Sequence, residues 1–163
     1  MAWCNNESFA HKYAKELLRD ALCEHLPQSF RFWRQENGVW GRPIEFARLK
    51  QPRVLMEYPL HRRQCHWTEQ EQIPKSYPRG RLPLAIADLA ILDGSKLMGI
   101  IEICYKHPVS DDKLYRLEQL DYLKGIPVIE VSAHDILNWN SANKHLNTTA
   151  NYVRRWIYTD QES

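Results

Sequence analysis

A chain of 163 residues, 44% hydrophobic and 26% charged, has the size and composition of one globular domain spanning 1–163, with core enough to fold without staples. It holds no run of about 18 apolar residues, and its start, MAWCNNESFAHK, has no signal-like apolar stretch, so a membrane span is excluded and a cytoplasmic location is expected. A net charge of +2 permits a polyanionic partner without demanding one, and Cys4, Cys23, Cys65 and Cys104 are too scattered for a disulfide framework.

The first predicted element is a helix from Ser8 to His25. Phe9, Tyr13, Leu17 and Ala21 recur every fourth residue, and Ala10, Ala14, Leu18 and Leu22 widen the apolar stripe. Phe30–Leu49 is mixed: FRFW reads as a short strand and GVWGRP as a turn. VLMEYPL, Val54–Leu60, is a strand that Pro59 marks as an edge. The polar stretch from His61 to Pro83 is a long, functional kind of loop. LAIADLAIL, Leu84–Leu92, is apolar enough for a strand buried on both faces. Asp93-Gly94 then turns the chain into a second strand, Leu97–Tyr105. Ser110 caps a helix reaching Lys124, with Leu114, Leu117, Leu120 and Leu123 inward, and PVIEV, Pro127–Val131, returns as a buried strand. Strand, helix, strand implies a crossover and a parallel pair, hence an α/β fold around a mixed sheet. Thr148–Tyr158 reads as a last helix.

Two carboxylates interrupt the apolar strands, Asp88 in one and Glu102 in the next. An unpartnered buried carboxylate is costly, and a shared cation is the simplest explanation for two on neighbouring strands. Hard oxygen ligands suit Mg²⁺ or Mn²⁺, so Asp88 and Glu102 are the expected metal ligands. Alternation along the strand puts Glu102, Cys104 and Lys106 on one face, which makes Lys106 the candidate to assist an attacking water.

The string IADLAILDGSKLMGIIEICYKHPVS resembles the Asp, Glu, Lys pattern of PD-(D/E)XK nucleases, most closely the nuclease domain of the competence protein CoiA family. DYLKGIPVIEV is similar to the final part of that domain, and Asn6-Glu7-Ser8-Phe9-Ala10-His11-Lys12-Tyr13-Ala14-Lys15 resembles its start. The resemblance covers Asn6 to Val131 in pieces. It implies a restriction-endonuclease-like mixed β-sheet core flanked by helices, and a metal-dependent hydrolase cutting DNA phosphodiester bonds, single strands included. It adds Glu57, His11 and Lys15 as supporting site residues, the last two on the inward edge of the first helix. A homodimer would suit the cutting of two strands. The chain departs from the pattern at Cys104, which stands where the lysine is expected, and at Ala87, which replaces a proline.

Cys104 keeps a second expectation open, a catalytically inactive nuclease fold that binds DNA or a partner protein. A small adaptor using some of its six tryptophans is a third. Asp88 and Glu102 could instead pair with Arg53 or Arg81, and Lys106 could be solvated at a strand end. His61, Cys65 and His66 match no standard zinc spacing. The loop cations Arg62, Arg63, Arg79 and Arg81, interleaved with Trp67 and Tyr77, are the candidate nucleic-acid contacts, because cations meet phosphates and aromatics stack on unpaired bases.

Overall fold

In the computed structural model, which describes residues 8–36, 39–41, 43–62 and 83–148, the first helix opens where the sequence places its cap. The Ser8 hydroxyl accepts the His11 amide at 3.0 Å, and α1 runs Phe9–His25. Its buried side chains are Ala14, Lys15, Leu18, Ala21 and Leu22. The outer apolar row faces water only in its first half, where Phe9 is 84% exposed and Tyr13 50%, while Leu17 and Ala21 further along it turn to the core. The two rows are only about 100° apart on the helix, and the row that faces the sheet is flanked by His11 and Lys15, whose partners lie there.

The main sheet has strand order β4-β5-β6-β7, with β4 Pro52–Leu60, β5 Ala85–Asp93, β6 Lys96–Cys104 and β7 Val128–Ser132. The first two pairings are antiparallel and the third is parallel, as the crossover requires. β4 is an edge, which tolerates Pro52 and Pro59. Gly94 takes φ +65° in the β5–β6 turn, where a side chain would be strained.

The crossover helix is shorter than its leucine stripe predicts. α2 spans Asp111–Glu118, and after Gln119 and Leu120 a 3₁₀ turn covers Asp121–Leu123. Leu114, Leu117, Leu120 and Leu123 are spaced by three, a period that drifts around an α-helix. The tighter path keeps Leu117, Leu120 and Leu123 buried together.

A second sheet, which the sequence barely signals, is built on β1, Ser29–Glu36. β2, Val39–Trp40, and β3, Ile44–Ala47, pair with it antiparallel, and β8, His145–Thr148, pairs parallel. A short helix, α3, Ala133–Leu137, links β7 towards β8. The fold is thus mixed α/β with two mixed sheets and flanking helices.

Two apolar layers cover the main sheet. On one face Ala14, Leu18 and Leu22 of α1 meet Leu89, Ile101 and Ile129, together with Phe30, Phe32 and Phe46 of the small sheet. On the other, Leu117, Leu120 and Leu123 meet Leu55, Ala90, Ile100 and Val128. The small sheet docks where Gly99 leaves room, since a Cβ there would stand 2.7 Å from the Phe46 ring. No helix among the described residues is long and apolar enough to cross a membrane. The expected helix Thr148–Tyr158 lies, beyond Thr148, outside the described residues.

Candidate active site at a fork in the sheet

Side chains of a regular strand alternate between faces. Val54 and Met56 of β4 obey this, packing on the α1 side, with Leu55 opposite. Tyr58 and Leu60 should then join Val54, yet both pack on the α2 side. β5 changes face at the matching place: Leu89 and Ile91 face α1, whereas Ala85 and Ala87 face α2. The ladder keeps its register through the switch, with Met56 opposite Leu89 and Tyr58 opposite Ala87, so Glu57 stands across from Asp88. Glu57 carries the cause, a φ of +55° in mid-strand. That conformation costs an ordinary residue about 1–3 kcal/mol and needs surrounding contacts to hold it.

Beyond this point the sheet forks. β5 and β6 remain paired as far as Leu89 and Ile101, while β6 continues with β7 through Cys104 and Ser132. The carboxylates fill the opening. The Asp88 amide donates to Glu102 Oε2 at 3.0 Å, and the Ile103 amide donates to Asp88 Oδ2 at 2.8 Å. Each carboxylate thus accepts a backbone N–H that the parting strands expose, which meets the demand of buried amides for a partner.

Cations enter from both layers. From α1, Lys15 Nζ binds the Glu57 carboxylate and lies 3.9 Å from Asp88 Oδ1. His11 donates from Nε2 to the Ile103 carbonyl at 2.7 Å and stands 3.6 Å from Asp88 Oδ2. From α2, Lys113 donates to Glu102 Oε1 at 2.5 Å and to the Ile86 carbonyl at 2.7 Å. The fork therefore gathers Glu57, Asp88, Glu102, His11, Lys15 and Lys113.

Their environments separate the two central acids. Burial pushes Glu102 up to about 7, and the charge of Asp88 adds to it, against the pull of Lys113. Burial also acts on Asp88, but His11, Lys113, the Ile103 amide and Lys15 together outweigh it and hold that carboxyl below its usual range. His11 is raised by its contact with Asp88 despite partial burial. Lys113 is raised too, because Glu102 and Asp88 outweigh its desolvation. One acid at the fork is thus held ionised and the other takes a proton near neutrality, the kind of divergence expected where groups are tuned for chemistry.

Lys106 is not part of this cluster. It is exposed and lies over the Tyr105 ring, 5.5 Å from its centroid. The ammonium beside Glu102 belongs to Lys113. Its signal was present: Lys113 lies four residues before Leu117, which puts it on the buried stripe of α2. Glu130 carries a comparable signal, since it interrupts the apolar PVIEV as Asp88 and Glu102 interrupt their strands. Arg53 lies at the other end of the sheet, donating to the Gly94 carbonyl at 3.0 Å. Arg62 is exposed just after β4. Arg63, Arg79 and Arg81, with Cys65, His66, Trp67 and Tyr77, lie outside the described residues.

Among the described residues no three His, Cys, Asp or Glu side chains are arranged as a closed metal cage. What the fork offers is a pair of acidic oxygen donors, Asp88 and Glu102. That set fits Mg²⁺, which commonly takes one or two carboxylates and completes its shell with water and substrate phosphate. Comparisons with protein-family models, curated proteins and solved structures find no match for this chain.

Proposed function

We propose that this protein is a metal-dependent nuclease of restriction-endonuclease-like architecture that hydrolyses DNA phosphodiester bonds at the fork between β5 and β6. The observation that carries the reading is the reciprocal Asp88–Glu102 arrangement, with Lys113 on Glu102. Such an arrangement brings hard oxygen donors and an ammonium to one opening of a rigid sheet.

In this reading Asp88 and Glu102 would hold Mg²⁺ or Mn²⁺. When bound, the ion would supply Lewis-acid stabilisation and a water of lowered pKa. The chain's own groups divide the remaining work by accessibility. Lys113, with a side chain 26% exposed, can meet a phosphate oxygen or steady the attacking water. Lys15 is 2% exposed, which keeps it from substrate, and it offsets the charge of Glu57 and Asp88. His11 holds the Ile103 carbonyl, and the amide of the same residue holds Asp88. Glu57, 47% exposed, is the carboxylate most open to solvent. Arg62, Arg63, Arg79 and Arg81 would grip the phosphate backbone.

A second reading is favoured by the ion pairs themselves. Lys15 on Glu57 and Lys113 on Glu102 compensate much of the cluster's charge from within. That suits a nuclease-derived module that binds DNA or a partner protein without cutting. Incubation with plasmid and single-stranded DNA, with Mg²⁺ or Mn²⁺, EDTA and Glu102→Ala as comparisons, separates the two. The nuclease reading expects metal-dependent cleavage that vanishes in the variant. A folded wild type that shifts DNA in a gel and leaves it intact would replace it with the binding module.

A further inference from the structure

Glu130 is a carboxylate 6% exposed in the middle of β7, and the parallel register sets it beside Glu102 on the same face. Two neighbouring buried acids repel each other and cost desolvation, so Glu130 is out of place unless it is held. Its Oε2 accepts the Val109 amide at 2.6 Å. The Cys104 thiol also hydrogen-bonds to it, and burial together with the charge of Glu130 pushes that thiol up to about 12.

Val109 precedes Ser110, the N-cap of α2, whose hydroxyl accepts the Lys113 amide at 3.1 Å. Fixing the residue before a cap fixes the angle at which the chain enters the helix. Lys113 sits on the first turn, about 5 Å along the axis from the cap. A pivot of that turn would carry Nζ away from Glu102 and from the Ile86 carbonyl.

We propose that Glu130 is a positioning residue: it anchors the β6–α2 connection through the Val109 amide and so holds Lys113 against Glu102. The position that carries a lysine in the resembling pattern holds Cys104 here. The ammonium comes from α2 instead, and Glu130 secures the start of α2 through the Val109 amide. The effect on catalysis rests on the nuclease reading above, whereas the effect on Lys113 placement does not.

The experiment combines amine labelling with a double-variant cycle in the full chain. Acetic anhydride labelling of each lysine, quantified by mass spectrometry, should rise severalfold at Lys113 in Glu130→Leu and stay level at the other lysines. Glu130→Gln keeps an oxygen for the Val109 amide and should label like wild type. Glu130→Val, β-branched and suited to a buried strand, serves if the leucine variant does not fold. Cleavage by Glu130→Leu should drop about ten- to a hundredfold, as for other supporting-shell partners. Glu130→Leu combined with Lys113→Met should cleave no more slowly than Lys113→Met alone, because the two act as one unit. Unchanged Lys113 labelling in a folded Glu130→Leu or Glu130→Val overturns the proposal, as does a double variant whose losses multiply. If the wild type cuts no DNA, the nuclease reading fails by itself, and the labelling still decides the role of Glu130.

Discussion

Lys113 reaches the Glu102 carboxylate from a different element, at 2.5 Å, although eleven positions separate them in the chain. The same ammonium also binds the Ile86 carbonyl on β5, so it closes the fork from the α2 side while Lys15 and His11 close it from the α1 side.

This assigns the site ammonium to Lys113 and not to Lys106. Under the nuclease reading, Lys113→Met should lower the cleavage rate by about 10²–10⁴-fold, the usual worth of a positioned polar catalyst. Lys106→Met, which alters an exposed side chain resting on Tyr105, should cleave at close to the wild-type rate. Matched cleavage time courses decide it, and the reverse order would return the role to Lys106.

Near neutrality the pH dependence of stability is set by two groups with raised values, opposed by His61, which burial lowers from 6.5. Glu102 is pushed from 4.5 to about 7, and His11 is raised above 6.5. Each binds its proton more tightly in the folded chain than in the unfolded one. Their contribution is complete below the unfolded values and is lost as pH rises through the folded values. Asp88, held below 3.8, acts oppositely, and its contribution is lost only in acid. The melting temperature without metal should therefore fall from about pH 5 to about pH 8, and fall less in Glu102→Gln. Added Mg²⁺ should oppose the loss increasingly over the same interval, because it binds the ionised carboxylate. Parallel curves for the wild type and Glu102→Gln would refute the assignment.

The backbone of Glu57 gives a prediction that needs no activity. Both Glu57→Gly and Glu57→Ala remove the carboxylate beside Lys15, so they share that loss. They differ at φ +55°, where alanine remains strained and glycine does not. The glycine variant should be the more stable by about 1–2 kcal/mol in urea unfolding. Equal stabilities would mean that the strand does not turn at Glu57.

Docking of the small sheet on the main one is tested at Gly99. An alanine Cβ would meet the Phe46 ring at 2.7 Å. Gly99→Ala should cost about 1–3 kcal/mol, as overpacking does in a dense core. Adding Phe46→Leu, which withdraws the ring atoms in question, should recover part of that loss in the same denaturation assay. A neutral Gly99→Ala would separate the two sheets at this point.

The main sheet was legible because its strands carry strong local signals: apolar runs, an Asp-Gly turn, proline at an edge, and a capped helix between two strands. The core strands and α1 fall within a residue or two of their expected limits. The small sheet was not legible, since Ile44–Ala47 and His145–Thr148 are four residues each and gain their order by pairing with β1. A short strand has little pattern of its own, and long-range pairing supplies its stability.

The carboxylates of the site were visible as acids in apolar strands, and the spacing of His11 and Lys15 put them on the inward edge of a helix. The partner of Glu102 was not visible as such. A strand pattern points to Lys106, two positions past Cys104, because alternation is the only rule available along one strand. Which ammonium meets Glu102 depends on where α2 crosses the sheet, and that crossing is set by packing of Leu117, Leu120 and Leu123 and by the anchored connection before Ser110. The sequence by itself determined which residues are too costly to bury alone. Only the tertiary structure decided how they are paired, because pairing is a matter of distance between elements that the chain order leaves open.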